Sequence, residues 1–451
     1  YNRVMKYLTL LFGLILLSPL ASLNPDYFAA AQNPPLVPVE YNRPGFWIAR
    51  HPAPDSLIMD QAAIQRFNLS AIQSGNCFSL DYADLTALAP TLKKLMQNNL
   101  NYAKEKGKYD LMGKPITKSF WADITQNMNI EAYPDTANMR FAFPLHFTNQ
   151  RVVPHRHALL SVADDPDFDY LQNSGADLGD PTVIYHESAD GLWLFGISRA
   201  SAGWYWKADM CLVSYQQWLS YKDASAFVTT ISEKSDLWLD AEGSKYYGLI
   251  RMGNRLPLLG HTGNYYKVAL PGEDSEIAYV SVKDVYLQYL PYTPRFLYQQ
   301  AFKLLNAPYG WGDLNAEYDC SGLIKQLFQC FGIHLPRNGA QQHQVASKIL
   351  SFAKEDSSTR EALIAKHAQA GSSLLRLPGH IMLYLGSVDG TAYVLHGIWG
   401  MRTPLSRDKD AVIVLNKALV SDLSLGEGSK KKSLLMRLSG ISIVDNEYEE
   451  E

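Results

Sequence analysis

The chain has 451 residues, more than one ordinary hydrophobic core organises, so two to four domains are expected. Apolar residues make up 47% and charged residues 19%, a balance that excludes a disordered chain. Lys and Arg number 41 against 45 Asp and Glu, a net charge of −4, so neither nucleic acid nor an anionic membrane surface is an expected partner. The 27 Tyr and 9 Trp suit all-β modules and peptide- or carbohydrate-binding surfaces, and a plain β-rich core uses them as well. Four cysteines are too few for a disulfide scaffold. Cys320 and Cys330 stand ten apart on one predicted helix, roughly 15 Å, beyond disulfide reach. A Cys77–Cys211 bridge stays open beside the reading of free buried thiols.

The stretch MKYLTLLFGLILLSPLASLN has a Met5-Lys6 start, an apolar run from Leu8 to Leu17 and small residues at Ala21-Ser22. This is the layout of a secretory signal peptide, placed at residues 1–25, with an uncleaved anchor as the other reading. A secreted or periplasmic location is expected, without stable membrane insertion once the signal is removed, since the apolar run is shorter than the roughly 20 residues a span needs. The Pro-rich AQNPPLVPVEYNRPG predicts an extended linker. From about Asp55 to Gln126, QAAIQRFNLSAI and ADLTALAPTLKKLMQNNLNYAKEKG place apolar residues three and four apart, as helices do, with a stop at Gly107. Residues 26–150 are read as a mostly helical N-terminal domain.

From about Asp135 the texture changes to short aromatic and β-branched runs, RFAFPLHF, TVIYHES, LWLFGIS and GWYWKADMCLV, separated by turn clusters such as SADG and SRASAG. This predicts a small β-barrel. The pattern recurs in LIRMGNRLPLLGHTGNYYKVALPG and IAYVSVKDV, and an aromatic pair follows a turn glycine in both copies, Trp204-Tyr205 and Tyr265-Tyr266. Two barrels are expected, at 151–222 and 223–290, as a tandem repeat. Residues 291–451 form an α+β domain. In it TPRFLYQQAFKLLN and the stretch following YDC carry apolar stripes of helices. HIMLYLGSVDGTAYVLHGIWG alternates around SVDG, as a hairpin does.

In YDCSGLIKQLFQCFGIHLPR, Cys320 falls on the first turn of a helix with Asp319 as its N-cap. The positive helix end and open N–H groups favour thiolate there, and a nearby imidazolium would lower the thiol pKa further. If SVD is a three-residue loop, Gly386 pairs with Gly390 and His380 lies directly opposite His396 on the same face. His380 then serves as base toward Cys320, and His396 bonds the far nitrogen of His380 and holds its tautomer. Singly, a Cys at a helix start is most often a buried small residue and a strand His a bystander; the combination is far more specific. His155 and His157 in PHRH have strand spacing but no Cys, Asp or Glu cluster to complete a zinc site, and are read as surface residues.

The run APYGWG…YDCSGL…LPR…Q…LPGHIMLYLG…LHG, over roughly Pro294 to Val444, resembles the NlpC-type cell-wall peptidases, a papain-like superfamily of peptidoglycan hydrolases. The tandem β modules resemble bacterial SH3-like domains, the first through FDYLQNSGADLGDPTVIYHESADGLW. The resemblance implies a multidomain protein: a helical N-terminal stabilising region, two small SH3-like β-barrels and a C-terminal α+β papain-like peptidase domain. It implies Cys320 as nucleophile, His380 as base and His396 as orienting residue. Asp319, with Ser321, would bind the substrate's free amine, Tyr309 and Arg337 would line that subsite, and Tyr205 would close its far end. Two departures stand out: Asp313 replaces a second glycine in YGWGD, and Asn338-Gly339 replaces a small hydroxyl in PRNGAQQ. The implied activity is cleavage of the γ-D-glutamyl–diaminopimelate (or Lys) bond of peptidoglycan or muropeptides by a monomer that needs no metal or cofactor. The rivals are a papain-like amidase or acyltransferase, and a non-catalytic wall-binding protein carried by its SH3-like modules.

Overall fold

The computed structural model describes residues 37–134, 138–272, 276–352, 355–406 and 409–446. The expected signal peptide and the YEEE tail lie outside them.

Of the stretch read as an extended linker, residues 31–36 lie outside the described residues, and residues 37–45 are docked instead of extended. Pro44–Arg50 is a helix with Pro44 in its first turn, where the missing N–H costs nothing. Trp47, 2% exposed, joins the core of the C-terminal domain, and its indole N–H bonds Tyr41 O at 2.9 Å. An aromatic side chain of this size outweighs the chain entropy that keeps a Pro-rich stretch extended.

The helical region divides between two partners. Gln61–Gln73, capped by Asp60 on Ala63 N–H, turns Ala63, Ile64, Phe67 and Ala71 into the same C-terminal core. Tyr82–Lys106 carries the stripe Leu85, Ala89, Leu92, Met96, Leu100 and Ala103, which packs on the first barrel. Its stop at Gly107 has φ −79°, so no left-handed cap is involved. A Cβ there would stand 2.8 Å from Leu159 Cδ1, so close approach of the barrel demands the glycine.

Each barrel is a seven-stranded antiparallel sheet. In the first the order is 172–176, 148–151, 202–206, 193–197, 182–187, 140–144 and 210–213. In the second it is 246–251, 234–238, 277–281, 265–269, 255–262, 227–230 and 285–287. Ranked by chain position, both read 3-2-6-5-4-1-7, the arrangement of a duplicated unit. The first sheet begins at Arg140, so this barrel takes in residues that the sequence reading placed in the helical region. The two aromatic pairs are not equivalent. Trp204-Tyr205 lies on the sixth strand of its barrel and Tyr265-Tyr266 on the fifth, because local aromatic spacing does not reveal strand rank.

The C-terminal domain sets the helix Cys320–Gln329 against a six-stranded sheet ordered 348–351, 440–443, 373–377, 380–388, 391–406 and 409–422. Leu323, Ile324, Leu327 and Phe328 of that helix are fully buried. Helix Pro294–Lys303 packs beside it, capped by Thr293. The hairpin differs from expectation in register. Val388 pairs with Thr391 across an Asp389-Gly390 turn with φ 50° and 82°, the backbone of a type I′ turn. The register then shifts between Tyr384 and Gly386, after which Leu383 pairs with Leu395.

Candidate active site

The register shift decides which way the histidines point. Without it, the Val388–Thr391 pairing would send the side chains of His380 and His396 to opposite faces, since side chains alternate along a strand. The bulge adds one residue on the His380 strand and restores a common face. His380 is therefore not opposite His396 but diagonal to it. The rings still meet, with His380 Nε2 and His396 Nδ1 2.7 Å apart.

Hydrogen-bond directions assign the tautomers. Ser421 donates its hydroxyl to Asp422 O at 2.7 Å, so its oxygen accepts from His396 Nε2–H at 3.1 Å. His396 Nδ1 is then bare and accepts from His380 Nε2–H, leaving His380 Nδ1 bare as well. His396 is fully buried behind His380. His380 stands at the start of its strand, just past the Pro378-Gly379 turn with Gly379 at φ 81°. It lines a cavity of about 690 Å³ together with Cys320, Asp319, Ser321, Tyr309 and Arg337.

Cys320 opens its helix, and Asp319 caps that helix by accepting from Gly322 N–H at 2.7 Å. The backbone N–H groups of Ile381, next to His380, and of Ser321 act to lower the thiol's pKa. Burial nevertheless outweighs these donors. Burial first, then the Asp319 charge, pushes the Cys320 thiol up to about 12. Burial lowers His380 to about 4 and, with His380, holds His396 well below the usual range. Desolvation thus works against both the thiolate and the imidazolium, in opposition to the helix-end effect expected from the sequence.

Asp319 is not a carboxylate waiting for a partner. Arg337 grips it with Nη1 at 3.1 Å and Nη2 at 2.7 Å, and Ser321 Oγ–H and Gly312 N–H add bonds at 3.0 and 3.1 Å. Arg337 also reaches Asp313 at 3.1 Å and, through Nε, Ser174 Oγ of the first barrel at 3.1 Å. Asp313 Oδ2 faces Arg251 of the second barrel at 3.9 Å, and Arg251 forks onto Asp177 at 2.7 and 2.9 Å. The result is a buried chain of three carboxylates and two guanidiniums that ties both barrels to the nucleophile helix. The departures noted in the sequence find structural roles here. Asp313 is a member of the chain, and Gly322 makes room for it: a Cβ at Gly322 would stand 2.0 Å from Asp313 Oδ1. Asn338 caps the helix Gly339–Gln344 by accepting from Gln341 N–H.

Tyr205 does not reach the cavity. It is fully buried inside the first barrel, receiving a hydrogen bond from Gln150 at 2.5 Å. Strand alternation turned it inward, which its neighbours in sequence did not disclose. The barrel contributes Gln172, Asn173 and Ser201 to the cavity instead, and the helix Tyr82–Lys106 adds Asn98, Asn99 and Tyr102. Sequence reasoning missed Asp177, Arg251 and Ser421 too; none sits in a motif, and only the odd Asp313 hinted at a buried partner. Neither Cys77 and Cys211 nor Cys320 and Cys330 are joined by a disulfide. Among the described residues no helix is long and apolar enough to cross a membrane, and no group of three or more His, Cys, Asp or Glu is placed to hold a metal.

Residues 306–398 match the family model for the NlpC/P60 family, and residues 159–205 match that for an SH3 domain of the SH3b1 type. The curated relative "Bifunctional muramidase/DL-endopeptidase CwlT" of Bacillus subtilis (strain 168) is 43% identical over 53 residues, 11% of this chain and only 16% of that protein's length. A solved NlpC/P60 endopeptidase from Photobacterium damselae subsp. piscicida has a similar fold over 91% of this chain and 99% of that one, with a TM-score of 0.73 at 20% identity. An NlpC/P60 family protein from Bacillus cereus ATCC 10987 aligns over 60% of this chain and 81% of its own, with a TM-score of 0.45 at 18% identity. Residues 306–398, which hold Cys320, His380 and His396, form an NlpC-type peptidase domain, and residues 159–205 lie in an SH3-like domain that precedes it.

Proposed function

We propose that the protein is a cysteine endopeptidase of peptidoglycan stem peptides, acting outside the cytoplasm on the γ-D-glutamyl–diaminopimelate (or Lys) bond of peptides with a free N-terminal L-Ala. The observation that carries the reading is the relay from His380 through His396 to Ser421, with its bare His380 Nδ1, at the cavity that Cys320 also lines. As Sγ attacks the scissile carbonyl, Nδ1 takes the thiol proton and His380 becomes a cation supported by His396. The backbone N–H of Cys320, at the positive end of its helix, faces the developing oxyanion. His380 returns the proton to the departing amine, and a water molecule then hydrolyses the acyl-enzyme.

The preference for a free amine is supported by charge. Three carboxylates, Asp177, Asp313 and Asp319, stand against two guanidiniums, Arg251 and Arg337, and Asp319 lines the cavity. Lys325 adds a third positive charge beside Asp177, so it is the position of the Asp319 carboxylate at the cavity wall that suits a substrate ammonium. The first barrel and the helix Tyr82–Lys106 wall the cavity where a glycan-linked stem would need space.

The test is mass spectrometry of products from free L-Ala-γ-D-Glu-diaminopimelate and from intact sacculi, supplied at equal bond concentration. The free peptide should be cut between D-Glu and diaminopimelate and the sacculi spared, and Cys320→Ala and His380→Ala should each abolish turnover with the fold intact. Equal rates on both substrates would overturn the free-amine preference. Glycan–peptide amide cleavage or acyl transfer would favour the rival chemistries, and turnover by folded Cys320→Ala would remove the mechanism.

A further inference from the structure

A second cavity, of about 370 Å³, lies where the first barrel, the second barrel and the peptidase domain meet. It shares only Ala200 and Ser201 with the walls of the active-site cavity. Its volume is within the range of small-molecule sites. Its lining includes the cations and donors Arg199, Arg255, Lys325, Lys222, His334 and Tyr289, beside two carboxylates, Asp180 and Asp223.

Most of the opposing charge is already used. Lys222 holds Asp223 at 2.5 Å. Lys325 lies within electrostatic range of half-buried Asp180 and buried Asp177, and Asp177 is forked by Arg251. Arg255 spends two N–H groups on the carbonyls of Lys222 and Ala224, at 3.0 and 2.5 Å. The guanidinium of Arg199 has no hydrogen-bond or ion-pair partner among the described residues, although burial holds its pKa below the usual arginine value. The Tyr289 hydroxyl and the His334 ring have no hydrogen-bond partner among the described residues either. These groups converge: Tyr289 feels both Arg255 and Arg199, and His334 feels Arg199, Arg255 and Lys325. Asp81 and Asp223 act on this half-buried guanidinium without a hydrogen bond or ion pair to it, so its planar fork, which matches an oxyanion, is left open.

We propose that this junction cavity binds a small oxyanion-bearing molecule, a carboxylate or a phosphate, with Arg199 as its principal ligand and Tyr289 and His334 as further donors. The site is separate from the peptidase centre and does not depend on which bond Cys320 attacks.

The experiment is calorimetric titration of the full chain with inorganic phosphate and, separately, with D-glutamate. At least one probe should bind saturably at one site per chain, and the probe that binds identifies phosphate or carboxylate as the natural group. Arg199→Gln should weaken binding at least tenfold and His334→Gln severalfold, while Cys320→Ala binds as the parent does. Circular dichroism checks that each variant is folded, and His334→Gln carries the test if Arg199→Gln does not fold. Absence of saturable binding by both probes would overturn the proposal. So would parental affinity in the folded Arg199 and His334 variants, or loss of binding in Cys320→Ala.

Discussion

Arg337→Met is the most informative perturbation of the buried charge chain. Methionine keeps much of the side-chain length and removes the charge. Asp319 would lose two hydrogen bonds, at 3.1 and 2.7 Å, and Asp313 one, at 3.1 Å. Asp313 would then face only Arg251, at 3.9 Å. Breaking a buried ion pair by removing one partner costs about 3–5 kcal/mol. Both carboxylates are buried, so the upper part of that range is expected. The loss should also depend on pH. In the parent, burial raises the Asp319 pKa but Arg337 and the cap donors win, and the carboxyl sits below its ordinary value. Its contribution to stability is present above the unfolded-state pKa and is lost as pH falls through the folded value. Without Arg337, burial prevails and the folded pKa rises above the unfolded one, so the variant regains stability as pH falls. The gap between parent and variant is therefore largest near pH 7 and narrows toward pH 4. The assay is guanidinium unfolding at several pH values, followed by tryptophan fluorescence and by residual peptidase activity, because a chain of several modules need not unfold in one step. A loss under about 1 kcal/mol, or a gap that does not change with pH, would refute the reasoning.

The relay gives graded expectations. His396→Ala should lower kcat without abolishing it, since water can replace part of an orienting group, and Ser421→Ala should cost less; parental rates in both would show that the assigned tautomers do not matter to the reaction. Gly322→Ala should destabilise the protein by about 1–3 kcal/mol, the range for forcing an added carbon into a packed site, because the new Cβ meets Asp313 Oδ1 at 2.0 Å. A thermal melt indistinguishable from the parent would contradict this. The pH profile of kcat/KM should hold to the acid side of an ordinary histidine. His380 must be neutral to take the proton, and burial holds it at about 4, so activity is present above that value and falls below it. The apparent midpoint belongs to the His380–His396 pair, and one near 6.5 would indicate a hydrated, unperturbed imidazole.

Local pattern determined much of this protein. Helix stripes, turn punctuation and the repeat of short strands specify segments, and they were legible because side-chain periodicity follows directly from backbone geometry. The cysteine at a helix start with its capping aspartate needed nothing beyond adjacent residues, and helix Cys320–Gln329 carries both where expected. The thiol's protonation was decided elsewhere, by how much protein surrounds it, which no local rule for helix dipoles supplies. Register was likewise a tertiary matter. One bulged residue between Tyr384 and Gly386 settles whether His380 and His396 share a face, and a sheet chooses that register by what the whole face buries. The docking of Trp47, the inward turn of Tyr205 and the wall formed by Asn98 and Tyr102 depend on contacts between segments far apart in the chain. So does the charge chain from Asp177 to Asp319, whose links span 74 residues between Asp177 and Arg251 and 18 between Asp319 and Arg337. A buried charge is tolerable only when a counter-charge arrives with it, and that pairing is made by packed domains, not by neighbouring letters.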